Sequence, residues 1–151
     1  MTESENKYIV RPLLPSEAEF AAKCEQEALG SEAWSADGIR ETMSRNGYYF
    51  AAFFGEHFAG HGGFTAVVDE GYITNIAVSE QFRRRGIASE ITEALIMKAK
   101  EMKLSFLTLE VRESNSAAIG LYEKFGFQTV GRRKGFYSEP KEDAVLMTLN
   151  F

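Results

Sequence analysis

The chain has 151 residues, a length that fits one compact domain rather than two. Hydrophobic residues make up 44% and charged residues 26% of it, which supports a buried core and excludes disorder over most of its length. Lys plus Arg is 17 and Asp plus Glu is 22, a net charge of −5, which argues against a protein that coats nucleic acid or an anionic membrane.

The charge is uneven. Residues 1–32 carry seven acids against three bases, whereas Arg83, Arg84 and Arg85 form a basic triplet. Cys24 is the only cysteine, so an internal disulfide and cysteine-rich zinc sites are excluded. Met1 to Lys7 lacks the basic start and apolar stretch of a leader, and the longest apolar run, Tyr48 to Phe54, is too short to span a bilayer. A cytoplasmic protein of one domain, residues 1–151, with no membrane partner, is the expectation.

Tyr8 to Leu13 reads as a first strand. Ser16, with Glu19 three residues on, reads as the N-cap of a helix reaching about Leu29. Ser35 repeats the signal for a second short helix stopped at Gly47, with Trp34 as a staple at its entrance. Tyr48–Phe54, Phe58–Val68 and Tyr72–Val78 are rich in aromatic and β-branched residues and are separated by turn compositions, the pattern of a three-strand meander. Ile87, Ile91, Leu95, Ala99 and Met102 then repeat at helical spacing. Leu107, Leu109 and Val111 alternate as a strand, Ala118, Leu121, Tyr122 and Phe125 form a helical stripe, and Phe127–Arg132 and Asp143–Phe151 read as two closing strands. This order implies a mixed sheet covered on both faces, in the α/β (α+β) class.

Arg83-Arg84-Arg85-Gly86-Ile87-Ala88 lies where a strand gives way to the strongest helix, so free N–H groups, the helix dipole and three cations converge there. From the residues alone the turn is either a phosphate site or a solvated basic turn. Glu110, near the end of a strand with apolar neighbours, is either a desolvated general base or a glutamate paired with Arg112. Tyr122 is either a core tyrosine or a proton donor, and Asn115 is either a helix cap or a ligand contact. His57 and His61, four apart in a strand, are placed on one face but too far apart to share an ion. Gly60 to Gly63 suggests a bulge, and no metal site is assigned.

Asn75-Ile76-Ala77-Val78, Arg83 to Ala88, Leu109 to Asn115 and Ala118 to Phe127 together resemble the GCN5-related N-acetyltransferase (GNAT) superfamily. Leu109-Glu110-Val111-Arg112 with Tyr122 and the late Tyr137 and Glu142-Asp143-Ala144 look most like its ribosomal-protein-alanine N-acetyltransferases. The resemblance implies a mixed, mostly antiparallel sheet of about seven strands with helices on both faces. It implies acetyl-coenzyme A as co-substrate, with Ile76, Ala77 and Val78 aligning the pantetheine arm, Arg84, Arg85, Gly86, Ile87, Ala88 and Ser89 holding the pyrophosphate, and Asn115 near the thiol. Glu110 would be the base and Tyr122 the acid, and the acceptor would be a protein or peptide amino terminus, a ribosomal protein among them. A small amine or a lysine is the alternative acceptor. A non-catalytic acetyl-coenzyme A-binding module and a nucleic-acid module built on the arginines are readings of another class.

Overall fold

A computed structural model describes residues 8–151; the segment Met1 to Lys7, read above as lacking a leader, lies outside the described residues. Seven strands form one sheet: β1 (Ile9–Pro12), β2 (Gly47–Phe54), β3 (His57–Val67), β4 (Glu70–Val78), β5 (Phe106–Arg112), β6 (Gln128–Ser138) and β7 (Lys141–Asn150). Their spatial order is β1-β2-β3-β4-β5-β7-β6. Every pairing is antiparallel except β4 with β5. The helices are α1 (Ala18–Leu29), α2 (Ala36–Arg45), α3 (Ile87–Glu101) and α4 (Ser116–Lys124). The mixed, mostly antiparallel seven-stranded sheet matches the expected class. A parallel pair needs a crossover, and α3 supplies it between β4 and β5.

The two faces carry separate cores. On one, Ile87, Ile91, Leu95 and Ala99 of α3 pack with Phe64, Leu107, Val111 and Met147; on the other, Ala18 and Ala21 of α1 and Ile39 of α2 pack with Tyr49 and Ala51. The meander is glycine-rich where helix and sheet approach most closely: a Cβ on Gly62 would stand 2.8 Å from Ile91 Cγ2.

Two bulges interrupt β3 and its partners. Ala52 faces Gly60 but Phe53 faces Phe58, so Ala59 is an extra residue on β3. Phe64 faces Ile73 but Gly62 faces Ile76, so Thr74 and Asn75 of β4 together oppose Gly63. The first bulge corrects the histidine expectation. His57 lies against Phe82 of the α3-side core, whereas His61 lies against Tyr49 and Phe58 on the α1 side. One inserted residue turns the rest of a strand over, so period-two counting fails across it.

Three local expectations also change. Ser16 does not cap α1: Pro15–Glu17 forms one 3-10 turn and α1 starts at Ala18. Glu17, held by Arg11, accepts the Leu14 N–H at 2.9 Å and so closes the 3-10 turn, and no side chain caps α1 itself. Ser35 caps α2 as expected, accepting the Gly38 N–H at 3.0 Å, while Trp34 stays partly exposed rather than sealed as a staple. Strand β6 runs to Ser138 instead of Arg132, because an irregularity between Arg133 and Tyr137, with Gly135 at φ 63°, masks its alternation. No described helix is long and apolar enough to cross a membrane.

Candidate active site

Strands β4 and β5 pair only from Glu70–Tyr72 to Phe106–Thr108. Beyond Tyr72 they diverge. The bulge at Thr74 and Asn75 adds local twist, and β5 follows β7 instead. The edge of β4 facing β5 is thereby left without a strand partner from Ile73 to Val78. Its backbone groups can receive an extended ligand as an added strand. A cavity of about 120 Å³ opens in the gap, lined by Asn75, Ile76, Glu110, Asn115, Tyr122 and Tyr137 among others. It adjoins a wider groove of about 560 Å³ that shares Asn75 and Glu110 and adds Trp34, Tyr72 and Phe136.

At the far end of this edge, Val78 meets the basic turn. A third cavity, about 320 Å³, is bounded by Val78, Arg84, Gly86, Ser89 and, from α4, Ala117 and Leu121. Arg84 at φ 65° and Gly86 at φ 80° both adopt the left-handed region. That conformation is one in which a backbone can form a nest for an anion, and it explains why glycine stands at the N-cap of α3. Arg84, Gly86, Ile87, Ala88 and Ser89 all border the cavity. Arg85 does not: its Nη1 reaches the Tyr8 hydroxyl at 3.3 Å and its guanidinium lies 5.8 Å from the Phe82 ring. Arg83 takes its place at the rim and donates from Nε to the Val78 carbonyl at 3.3 Å. The triplet thus contributes its first two members to the cavity and its third to packing.

The structure brings Glu110 and Tyr122 to one cavity from different elements, β5 and α4. Their environments differ. Tyr122 is buried, on the inner stripe of α4 against Phe127, and burial raises its phenol well above the ordinary tyrosine range, with Tyr137 adding to the effect. Its hydroxyl has no hydrogen-bond partner among the described residues. Glu110 lacks the apolar surroundings expected for it. It lies on the face of β5 away from Leu109 and Val111, is exposed, and has Arg133 Nε 3.6 Å from its Oε1. Asn115 serves the cap and the cavity together: its Oδ1 accepts the Ala118 N–H at 3.1 Å, which leaves its amide N–H groups for a ligand.

Arg112, read from the sequence only as a partner for Glu110, walls the gap and pairs elsewhere. Arg112, at the end of β5, donates from Nε to Glu32 Oε1 at 2.7 Å, from Nη1 to Glu142 Oε1 at 3.1 Å and to the Pro140 carbonyl at 2.8 Å, and from Nη2 to the Glu139 carbonyl at 3.0 Å. Its guanidinium also lies 4.3 Å from the Tyr137 ring. One side chain therefore ties the segment between α1 and α2 to the tip of the β6–β7 hairpin. Hydrogen bonds from Arg112 hold the Glu32 carboxyl below its ordinary range, and those of Ser114, followed by Arg112, do so for Glu142. Burial, with the charge of Glu110 next, pushes the Tyr137 phenol up to about 12. The signal available in the sequence was the Arg112 position itself, the last residue of the strand.

A split between two parallel strands, with a basic turn at a helix start at one end and a carboxylate and a buried phenol at the other, is a geometry in which acyl transfer from a long phosphate-bearing donor can take place. A sequence model of the acetyltransferase (GNAT) family matches residues 13–127, and the chain belongs to that family, as an acetyltransferase. A Bacillus subtilis (strain 168) protein, provisionally named ribosomal protein bS18-alanine N-acetyltransferase, is 36% identical over 116 residues, 76% of this chain and 77% of that one. The Escherichia coli (strain K12) ribosomal protein bS18-alanine N-acetyltransferase is 40% identical over 85 residues, 55% of this chain and 57% of that one. The crystal structure of the E. coli ribosomal-protein-S18-alanine N-acetyltransferase matches with a TM-score of 0.88 at 29% identity, over 95% of this chain and 94% of that one. The fold also matches a NatC complex bound to Gag peptide and CoA, with a TM-score of 0.83 at 25% identity, over 96% and 99% of the two chains.

Proposed function

We propose that this protein, acting as one domain over residues 1–151, transfers the acetyl group of acetyl-coenzyme A to the α-amino group at the amino terminus of a cytoplasmic protein, with the N-terminal alanine of a ribosomal protein as the first candidate. The observation that carries the reading is the narrow cavity beside Glu110 and Tyr122, about 120 Å³. It suits a small first residue, and the wider groove leading from it, about 560 Å³, suits the peptide that follows. The names of the B. subtilis and E. coli relatives support the choice of acceptor.

The donor fits the residues present. Ile76, Ala77 and Val78 offer the unpaired β4 edge to the pantetheine amides, and Arg84, Gly86, Ile87, Ala88 and Ser89 offer the anion nest to the pyrophosphate. Arg85 is left out of this set and Arg83 is added. Asn115 presents its amide near the thiol end.

The amine nitrogen attacks the thioester carbonyl carbon, the new C–N bond forms, the C–S bond breaks and the amine loses one proton. An α-amino group with a pKa near 7.8 is roughly 14% neutral at pH 7, against about 0.04% for a lysine near 10.4, a gap of about 3.5 kcal/mol. An exposed carboxylate such as Glu110 suffices for the lighter task, taking the proton directly or through water. Tyr122 acts on the sulfur. A phenol near 10 is already a weaker acid than a thiol near 8.5, and burial widens that difference. Its contribution is a hydrogen bond to the sulfur as charge builds there, with the proton passing over as the C–S bond opens and replaced, through water, by the one the amine gave to Glu110.

Thiol release from acetyl-coenzyme A, followed with peptides that begin with alanine, serine, leucine or tryptophan and with spermidine, tests the proposal. Alanine and serine peptides should turn over and the bulky ones should not. Preference for spermidine, or indifference to the first residue, would overturn it.

A further inference from the structure

On the α1 side of the sheet, beneath the β4 bulge, lies a polar group that the acyl-transfer chemistry does not use. Glu25 of α1 is 1% exposed and His61 of β3 is 0% exposed. His61 Nε2 sits 3.0 Å from Glu25 Oε2, close in distance yet outside hydrogen-bond geometry. The other oxygen, Oε1, accepts two hydrogen bonds, from the Trp34 backbone N–H at 2.9 Å and from Asn75 Nδ2 at 2.9 Å. A carboxylate at this depth persists only when held by partners. Glu25 has two hydrogen-bond donors, and both belong to residues that border the acceptor groove.

Those two come from different elements. Trp34 ends the segment joining α1 to α2 and lines the wider cavity. Asn75 is a bulge residue and lines both cavities. Nothing in the backbone ladder joins that segment to β4, so the shared Oε1 fixes their separation. The aromatic rings of Tyr49 and Phe58, each 6.2 Å from the His61 ring, enclose the pair from behind.

We propose that Glu25 is a positioning residue for the acceptor, a buried strut that sets the width of the groove by holding Trp34 and Asn75 to one oxygen. It touches neither substrate. The proposal rests on the reading of this groove as the acceptor site, and predicts that the acceptor and the donor respond differently when the strut is removed.

Three variants test it. Glu25→Met keeps the volume and removes the acceptor oxygen; the KM for the acceptor peptide should rise about tenfold or more while the Kd for acetyl-coenzyme A stays within about twofold. Glu25→Gln supplies one amide oxygen for the two donors and turns its NH₂ to His61 Nε2, so it should restore the acceptor KM to within about threefold of the parent. Asn75→Ala breaks one tie without burying anything new. It should raise the acceptor KM in the same direction, and the Glu25→Met/Asn75→Ala double variant should be no worse than the poorer single one. An unchanged acceptor KM in Glu25→Met, an equal shift in acetyl-coenzyme A affinity, or no rescue by Gln would overturn the strut. If Glu25→Met loses its native circular dichroism, Asn75→Ala decides the question by the same split. Should the parent protein turn over spermidine and not peptides, the amino-terminal reading fails, and the same KM comparison with spermidine still decides the role of Glu25.

Discussion

Replacing Tyr122 with Phe separates the two reasons for burying a tyrosine in α4. The ring packs against Phe127 and belongs to the α3-side core, and Phe retains that contact. The hydroxyl faces the narrow cavity and has no partner among the described residues, so its loss orphans no donor or acceptor. The stability change should stay within about 1 kcal/mol. Catalysis should respond very differently. Removing one preorganised donor from the point where charge develops costs about 3–4 kcal/mol, a fall in kcat of roughly 10²- to 10³-fold, with acetyl-coenzyme A affinity nearly unchanged. Steady-state thiol release, a binding titration and a urea unfolding curve read the three quantities on one preparation. Alkaline unfolding supplies an independent check. The phenol is raised in the folded state, so its stabilising share is complete below the unfolded value near 10 and is lost as pH rises above it. Tyr122→Phe should therefore flatten the loss of stability above about pH 10. A kcat within threefold of the parent would refute the assigned role, and an unchanged alkaline slope would refute the burial argument.

Arg112→Met should raise the acceptor KM about tenfold by releasing the hairpin tip from the α1–α2 segment. It should also flatten acid unfolding: Glu32 and Glu142 are held low in the folded state, so their share is present above the ordinary carboxylate range near 4.3 and disappears as pH falls through the folded values. Gly63→Ala should lower stability by about 1–3 kcal/mol through overpacking, because the new Cβ would stand 2.4 Å from Tyr49 Cδ1; Gly120→Ala, with nothing within 4 Å, should instead stabilise α4 by about 0.5–1 kcal/mol, and urea midpoints compare the two. Burial pushes the Cys24 thiol up to about 11, so Cys24→Ala should flatten the loss of stability between about pH 8.5 and 11, a span worth up to about 3 kcal/mol.

What the sequence disclosed follows from where local rules hold. The helical spacing of Ile87, Ile91, Leu95 and Ala99 has no competitor over fifteen residues, and α3 begins and ends close to its predicted limits. The alternation of β5 survives because β7 pairs with all of it in one register. Hidden features lie where a bulge resets the count. His57 and His61 are parted by Ala59, and the end of β6 is obscured beside Gly135. Glu110 was legible by position and not by environment, since alternation places it on a face without revealing that the strands have parted there. Glu25, in a helix of many acids, carries no mark in the sequence that separates it from Glu19 or Glu27; only its 50-residue contact with Asn75 does.

One inserted residue accounts for most of the site. With Thr74 and Asn75 together opposite Gly63, β4 twists away from β5, and the same event frees the edge from Ile73 onward. It also changes where side chains go. Ile73 and Ile76 can both enter the α3-side core, three residues apart instead of two, while Asn75 turns to Glu25 and Thr74 donates to the Gly63 carbonyl at 3.2 Å. Gly63 is small because Tyr49 fills the space across from it, and so the bulge has a fixed place. The unpaired edge of β4 and the tie from Asn75 to Glu25 then originate in one irregularity. A chain of net charge −5 needs no wider basic surface for the proposed donor, because its pyrophosphate would meet the backbone at the start of α3 and the two arginines, Arg83 and Arg84, that border the cavity there.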